Sequence, residues 1–222
     1  MPERVKVVEN ILSANDRLAN TITQQLNIHK IFSINLMASP GAGKTSLIEQ
    51  TIHLLSPKFR IAMINGDIAT SFDADRAAAA GAEAVQINTG GECHLDAVML
   101  QQGLQDLDLN NIDLLLVENV GNLVCPASFA LGTHKNILIA STPEGDDKPF
   151  KYPGMYRGVD ALVINKIDLL PYLDFNMSRF CQGVEILNPG LITFALSCRS
   201  GQGLDAWITW LEMSVNLYRN RV

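Results

Sequence analysis

Cysteines and basic residues are scarce in this sequence, long apolar runs are absent, and each shortage excludes a class of protein. Four cysteines among 222 residues are too few for a disulfide framework in a chain of this size. The 17 basic residues are outnumbered by 23 acidic ones, for a net charge of -6, whereas a nucleic-acid-binding protein is expected to carry a basic face. No apolar run approaches the roughly 20 residues that a membrane span needs, and residues 1–4 lack the apolar core of a secretion signal. We therefore expect a cytoplasmic protein that binds neither nucleic acid nor a membrane.

The chain does have enough apolar side chains to bury a core. Hydrophobic residues make up 47% and charged residues 18% of the sequence, and a length of 222 residues fits one domain better than two. An amphipathic helix is predicted at about residues 3–26, where apolar residues recur at helical spacing. The residues of this apolar stripe are Val8, Ile11, Leu12, Leu18, Ile22 and Leu26. We predict a single domain over residues 1–222, with this helix on its outside or against a partner.

Apolar segments of strand length alternate with helical segments along the rest of the chain. Strands are predicted at 31–37, 60–65, 84–88, 113–117, 136–141, 161–165 and 191–196. Helices are predicted from the turn after the first strand to about residue 55, over 75–80, at 95–107 and at 204–218. This alternation is typical of an α/β fold with a mostly parallel sheet flanked by helices.

A phosphate-binding loop is predicted at residues 38–45, between the first strand and its helix. The segment reads ASPGAGKT and matches the pattern G-x-x-x-x-G-K-[ST], except that Ala38 replaces the first glycine. The two glycines allow backbone N–H groups to face phosphates at a helix N-terminus, which favours negative charge. Lys44 would contact the terminal phosphates, and the Thr45 hydroxyl would bind Mg²⁺. The predicted nucleotide-binding residues of this loop are Pro40, Gly41, Ala42, Gly43, Lys44, Thr45 and Ser46.

Two later segments concern the choice of base. Residues 165–168 read NKID at the carboxyl end of a predicted strand and resemble the base-recognition element of GTPases. A carboxylate at Asp168 can accept hydrogen bonds from guanine N1–H and the exocyclic amine, whereas adenine has no such matched donor pair. Residues 197–199 resemble the segment of GTPases whose backbone contacts the guanine oxygen, although a plain turn is the alternative. The residues predicted to bind the base are Asn165, Lys166, Asp168, Ser197, Cys198 and Arg199.

Magnesium requires hard oxygen ligands, and two acidic residues end predicted strands. Asp67 and Glu118 are predicted to bind Mg²⁺ together with Thr45, and they join Lys44 as the predicted catalytic residues. Gly121 follows closely and is expected to offer its backbone N–H to the third phosphate. Nearby Asp73 and Asp75 are alternatives that fit better as a helix cap and a first-turn acid. No glutamine or arginine finger is evident, so we expect slow intrinsic hydrolysis.

Cys93, His94 and Cys125 are candidate ligands for a second metal. Two thiolates and an imidazole suit Zn²⁺ or Ni²⁺ and leave a coordination position open or shared. Two buried structural cysteines are the alternative, because spacing alone does not bring these residues together. Cys125 lies on the same segment as Glu118 and Gly121, so an ion held there would be coupled to nucleotide state. Cys181, placed in a helix, and Cys198 are interpreted as packing residues.

Taken together, these motifs resemble the HypB family, the nickel-incorporation GTPases of hydrogenase maturation, over nearly the whole sequence. The segments that carry the resemblance are 38–45, 65–67, 90–94, 118–126, 144–149 and 165–168. The resemblance implies a P-loop NTPase of the SIMIBI type that binds GTP and GDP and hydrolyses GTP. It also implies a homodimer that depends on nucleotide and metal, with its metal site at Cys93, His94 and Cys125 on the subunit interface. Implied partners are a HypA-type zinc-binding maturation protein and the hydrogenase large subunit, which receives nickel.

Some features leave alternatives open. The chain has neither an N-terminal cysteine-rich motif nor a histidine-rich stretch, so we do not expect a separate high-affinity nickel site or nickel storage. A urease-type accessory GTPase is a rival, but Ala127 stands where the Cys-Pro-His motif of those proteins has histidine. Further alternatives are a GTP-dependent regulatory switch that binds no metal and an ATPase of the same sheet type. The ligand set suits nickel and zinc alike. The sequence itself does not indicate a role for residues 144–149.

Overall fold

Seven parallel strands form one sheet at the centre of the protein. The computed structural model describes residues 2–67 and 72–221, and side chains within 11–67 and 76–221. The strands are β1 (Phe32–Ala38), β2 (Ile61–Asp67), β3 (Glu83–Asn88), β4 (Leu114–Glu118), β5 (Lys135–Ser141), β6 (Ala161–Asn165) and β7 (Ile192–Ala195). They lie in the order β3-β2-β4-β1-β5-β6-β7, and each neighbouring pair is parallel. The predicted α/β fold with a mostly parallel sheet is confirmed, and the described strands contain no antiparallel pair.

Burial along the strands follows their position in the sheet. Every residue of β1 and β4 is buried, as expected for central strands covered by helices on both faces. The outermost strands β3 and β7 differ, because only Phe194 of β7 is buried and β3 is half-buried along most of its length. The predicted strand at 191–196 is therefore a shorter edge strand.

Helices cover both faces of the sheet. They are α1 (Pro2–Ile28), α2 (Lys44–Leu55), α3 (Phe72–Ala79), α4 (Ala97–Gln105), α5 (Lys148–Lys151), α6 (Pro153–Arg157), α7 (Met177–Leu187) and α8 (Leu204–Arg221). The short helices α5 and α6 were not predicted, because each spans about one turn and shows no apolar period. None of the described helices is both long enough and apolar enough to cross a membrane.

The amphipathic N-terminal helix packs on the domain's own core. Ile22 and Leu26 of α1 are fully buried in a cluster that includes Leu100 of α4. The buried Asn15 side chain fixes this packing, since its amide donates to the Ala130 carbonyl and its oxygen accepts from the first N–H of α4. Of the two expectations for α1, packing on the outside of the domain is therefore observed for the described side chains.

The chain order of the sheet places a crevice at the carboxyl end of β1. After β1 the chain builds the β4-β2-β3 side, and it then crosses to β5, β6 and β7 on the other side. In open parallel sheets, ligands bind beyond the carboxyl ends of the strands at the point where the order reverses. The loops after β1, β4 and β6 and the end of β2 line this crevice.

A polar cluster at the opposite end of the sheet predicts a pH effect on stability. His134 Nδ1 accepts from the Ser33 N–H at 3.1 Å, and His134 Nε2 lies 3.1 Å from Asn27 Oδ1, so the ring fits as the neutral Nε2–H form. Burial, with Lys135 nearby, lowers the pKa of His134 to about 4. Because the folded pKa lies below the ordinary value near 6.5, this stabilising contribution is present above pH 6.5 and is lost as the pH falls towards 4.

We expect the free energy of unfolding to fall by on the order of 1–2 kcal/mol between pH 7 and pH 5 through this residue alone, allowing for its partial exposure. Urea unfolding at both pH values measures the fall in the wild type and in His134→Gln. The variant should lose less stability over that interval. An equal loss in the two proteins would show that His134 does not titrate as described.

Candidate nucleotide and metal sites

A cleft of about 580 Å³ lies at the carboxyl ends of β1, β2 and β4. It brings together most residues that the sequence predicted for phosphate and magnesium binding. The predicted residues that line it are Pro40, Gly41, Gly43, Lys44, Thr45, Ser46, Asp67, Glu118, Gly121 and Lys166. Ala42 is fully buried beneath the loop and offers no side chain to the cleft.

The phosphate loop has the backbone that its glycines predict. Gly41 and Gly43 have φ values of 77° and 100°, a conformation that favours glycine. A Cβ atom on Gly43 would lie 2.3 Å from the side-chain nitrogen of Asn165, so space as well as conformation demands glycine there. Helix α2 begins at Lys44 without a side-chain cap, which leaves the N–H groups of its first turn directed at the cleft. The loop is therefore built to receive an anion.

Hard oxygen atoms converge beside this loop. The Thr45 hydroxyl donates to Glu118 Oε1 at 3.0 Å, and Glu118 is buried at the end of β4. Asp67 ends the neighbouring strand β2 and lines the same cleft. A hydroxyl and two carboxylates suit Mg²⁺. The alternatives Asp73 and Asp75 lie outside the described side chains.

A second cavity of about 390 Å³ adjoins the first and contains the predicted base-binding residues. Asn165 organises it, because its side-chain oxygen accepts from the N–H groups of Lys166 and Cys198 and its amide donates to the Ala42 carbonyl. Lys166 has a φ of 63° and directs its ammonium to the Gly41 carbonyl at 2.5 Å. Asp168, Ser197, Cys198 and Arg199 line the remaining wall. The two cavities share Gly43, Ser46 and Lys166, so the predicted phosphate and base sites are continuous.

The two cysteines interpreted as packing residues differ in the structure. Cys198 packs against the core, and burial raises the pKa of its thiol to about 11. Cys181 is exposed on α7, so the interpretation of this residue as a packing residue is wrong. The helix turns its Phe180 and Val184 inward, which places Cys181 on the solvent side.

Cys93, His94 and Cys125 meet at one point. Their ligand atoms all lie within 4.8 Å of one another, with 2.8 Å between the two Sγ atoms and 3.6 Å between Cys93 Sγ and His94 Nδ1. The hydrogen bond with Cys125, with partial burial, raises the pKa of the Cys93 thiol. The His94 ring packs on Phe129, with 4.0 Å between ring centroids. No other group of three such ligands was found among the described residues.

Two asparagines that the sequence analysis missed link the metal cluster to the nucleotide cleft. The buried Asn119 accepts from the Leu95 N–H at 3.0 Å and donates to Asn35 of β1. Asn122 donates to the Cys93 carbonyl at 3.2 Å. The loop that carries Cys93 is therefore fastened to the segment after Glu118. In the sequence, this role is indicated only by the position of the two asparagines on either side of Gly121.

Glu144 gives the 144–149 segment a role that the sequence did not reveal. Its carboxylate accepts from the backbone N–H and hydroxyl of Ser141 at 2.7 and 2.8 Å, and from the hydroxyl of Ser39 in the phosphate loop. The adjacent Thr142 hydroxyl donates to the Lys166 carbonyl at 2.7 Å. The turn after β5 therefore holds both nucleotide loops in place.

We expect Glu144→Gln to weaken nucleotide binding roughly tenfold, because a charge-assisted hydrogen bond to the phosphate loop is worth about 1.5–3 kcal/mol. Fluorescence titration with a labelled guanine nucleotide measures the loss. Glu212→Gln is a matched control, since Glu212 pairs with Lys58 on the surface. Equal nucleotide affinities in the two variants would contradict the positioning role.

Comparison with known proteins agrees with this geometry. Residues 32–194 match the family described as CobW/HypB/UreG, nucleotide-binding domain. The crystal structure of signal recognition particle 54 kDa protein from Aeropyrum pernix in complex with GDP shares the fold at a TM-score of 0.57 and 13% identity, over 86% of this chain and 49% of that chain. The protein is thus a P-loop NTPase of the SIMIBI class by fold.

Closer relatives define the family. The hydrogenase maturation factor HypB of Rhizobium leguminosarum is 44% identical over 95% of this chain and 70% of its own. The probable HypB of Methanocaldococcus jannaschii is 44% identical over 94% of this chain and 95% of its own. The structure of Helicobacter pylori HypB in complex with nickel superposes with a TM-score of 0.87 and 35% identity, over 91% of this chain and 95% of that chain. The chain belongs to the HypB family.

Proposed function

We propose that this protein is a GTP-hydrolysing metallochaperone that binds nickel, or zinc in its place, and assists nickel insertion into [NiFe] hydrogenase. One observation carries the proposal: Cys125 completes the Cys93–His94 cluster from the segment that also carries Gly121 of the nucleotide cleft. The relatives named hydrogenase maturation factors, and the nickel complex of one of them, support it. Nucleotide state would control metal release through this shared segment.

Each residue of the cleft has a role in hydrolysis under this proposal. Lys44 neutralises charge that develops on the phosphates, and Gly121 contacts the third phosphate through its backbone N–H. Thr45, Asp67 and Glu118 would hold Mg²⁺, which would neutralise phosphate charge when bound. The residues of the loop at 38–46 together bind the phosphates. These roles lie in one GTPase domain over residues 1–222.

The second cavity selects the base. The Asp168 carboxylate accepts from guanine N1–H and the exocyclic amine, while the aliphatic part of Lys166 covers the base. Asn165 holds these loops in register with the phosphate loop. The segment Ser197, Cys198 and Arg199 supplies backbone contacts to the guanine oxygen.

The metal cluster is exposed enough to exchange its cargo. Cys93, His94 and Cys125 are each only partly buried, and three ligands leave a fourth position for a second subunit or a receiving protein. We propose a homodimer that depends on nucleotide and metal, a HypA-type partner, and the hydrogenase large subunit as receiver. The rival of a urease-type GTPase has less support, because Ala127 occupies the place of the histidine in a Cys-Pro-His motif.

Nickel and zinc titrations in the presence of GDP and of a GTP analogue, followed by sedimentation, test the proposal. We expect stoichiometric metal, an affinity that differs between the nucleotide states, and a matching change in oligomeric state. Competition between GTP and ATP in the same preparation tests the choice of base. Absence of metal binding under every nucleotide condition would favour a regulatory switch with structural cysteines.

A further inference from the structure

An arginine that no sequence motif indicated lines the nucleotide cleft. Arg76 lies on α3, the helix that follows β2 and its terminal Asp67, and it faces the cavity that Lys44 and Glu118 also line. Its guanidinium forms a two-pronged ion pair with Glu49 of α2, with 2.6 Å from Nε to Oε1 and 2.6 Å from Nη2 to Oε2. The pair therefore connects α3 to the helix that begins at the phosphate loop.

The chemistry of this pair matches that of a phosphate contact. A guanidinium presents parallel N–H donors that fit two oxygens of a carboxylate or of a phosphate equally well. The Arg76 and Glu49 side chains are 47% and 30% exposed, and a pair that accessible to water holds its partners weakly. A nucleoside triphosphate brings several negative charges into a partly enclosed cleft, where each attraction is screened less. A phosphate is thus a stronger partner for Arg76 than Glu49 is.

We propose that Arg76 is a phosphate-binding residue of the nucleotide site, and that Glu49 is its resting partner, exchanged for a phosphate when nucleoside triphosphate binds. This rests on the proposed function only in requiring that the cleft binds a nucleotide. The ammonium of Lys166 lies on the Gly41 carbonyl at the base side of the loop. Arg76 therefore adds a positive charge to the cleft from α3, separate from that of Lys166.

Opposite effects of two substitutions distinguish this role from a structural ion pair. Arg76→Ala removes the phosphate contact, so affinity for a labelled GTP analogue should fall about tenfold. Glu49→Gln removes the competitor, so the same affinity should rise severalfold. Arg76→Lys should restore only part of the loss, because an ammonium cannot form the two-pronged contact.

The measurements are titrations with labelled GTP analogue and labelled GDP at two salt concentrations, with thermal unfolding of each variant. A role limited to joining α2 and α3 predicts that Arg76→Ala and Glu49→Gln lower the unfolding temperature alike and leave nucleotide affinity unchanged. That result overturns the inference. If Arg76→Ala fails to fold, Arg76→Lys and Glu49→Gln still separate the two roles. A wild-type protein that binds no nucleotide would overturn the proposed function as well.

Discussion

Cys125→Ala is expected to lower the affinity of the Cys93–His94–Cys125 cluster for nickel and zinc by about 100-fold or more. Loss of a residue that only supports a ligand costs about 10–100-fold, and removal of one of three direct ligands should cost at least as much. The remaining Cys93 and His94 are adjacent in one loop and cannot enclose an ion by themselves. Competition with a chromophoric chelator measures the affinity in GDP and in GTP-analogue states.

The same variant also tests the coupling between the two sites. Binding linkage is reciprocal, so a metal that responds to nucleotide must in turn change nucleotide affinity. Cys125→Ala should weaken that response strongly, because Cys125 is the metal ligand supplied by the segment that carries Gly121. Cys181→Ala is the matched control, since Cys181 is an exposed thiol on α7. Unchanged metal affinity in both nucleotide states would show that Cys125 is not a ligand.

The phosphate and base motifs were predictable because their geometry is local. A glycine-rich turn between a buried strand and a helix places its N–H groups without help from distant residues. The ends of parallel strands meet at one edge of the sheet, so Asp67 and Glu118 were also expected to lie near each other. The structure places both in one cleft with Lys44 and Thr45.

Other features depend on tertiary contacts that spacing does not encode. Cys125 lies 32 positions from Cys93. Cys93 follows β3 and Cys125 follows β4, and the parallel pairing of both strands with β2 brings the two loops to the same edge of the sheet. Asn119 bonds to a residue 24 positions away and Glu144 to one 105 positions away. No sequence pattern marks either side chain as a partner in these hydrogen bonds. Arg76 was missed for the same reason, because its place in the cleft depends on how α3 packs on α2. The exposure of Cys181 reflects the orientation of α7, whose Phe180 and Val184 face the core.

Asp168→Asn is expected to reduce affinity for GTP and GDP by roughly 10²–10⁴-fold, since one hydrogen bond to a charged acceptor is lost and the other is weakened, and each is worth about 1.5–3 kcal/mol. An asparagine amide offers one acceptor and one donor in place of two acceptors. The donor faces the exocyclic amine of guanine, so the pair is mismatched as well as weakened. Xanthine carries a carbonyl oxygen at that position and would accept from the amide, so binding of xanthine nucleotides should appear.

Competition among GTP, ATP and XTP against a labelled nucleotide measures this change of preference. Asp174→Asn is a suitable control, because Asp174 is an exposed carboxylate close in sequence that lies outside both cavities. A uniform loss of affinity for all three nucleotides would indicate damage to the cavity that Asn165 organises, and the gain of XTP separates recognition from damage. Unchanged preference for GTP would remove Asp168 from base recognition and leave the backbone of residues 197–199 to select guanine.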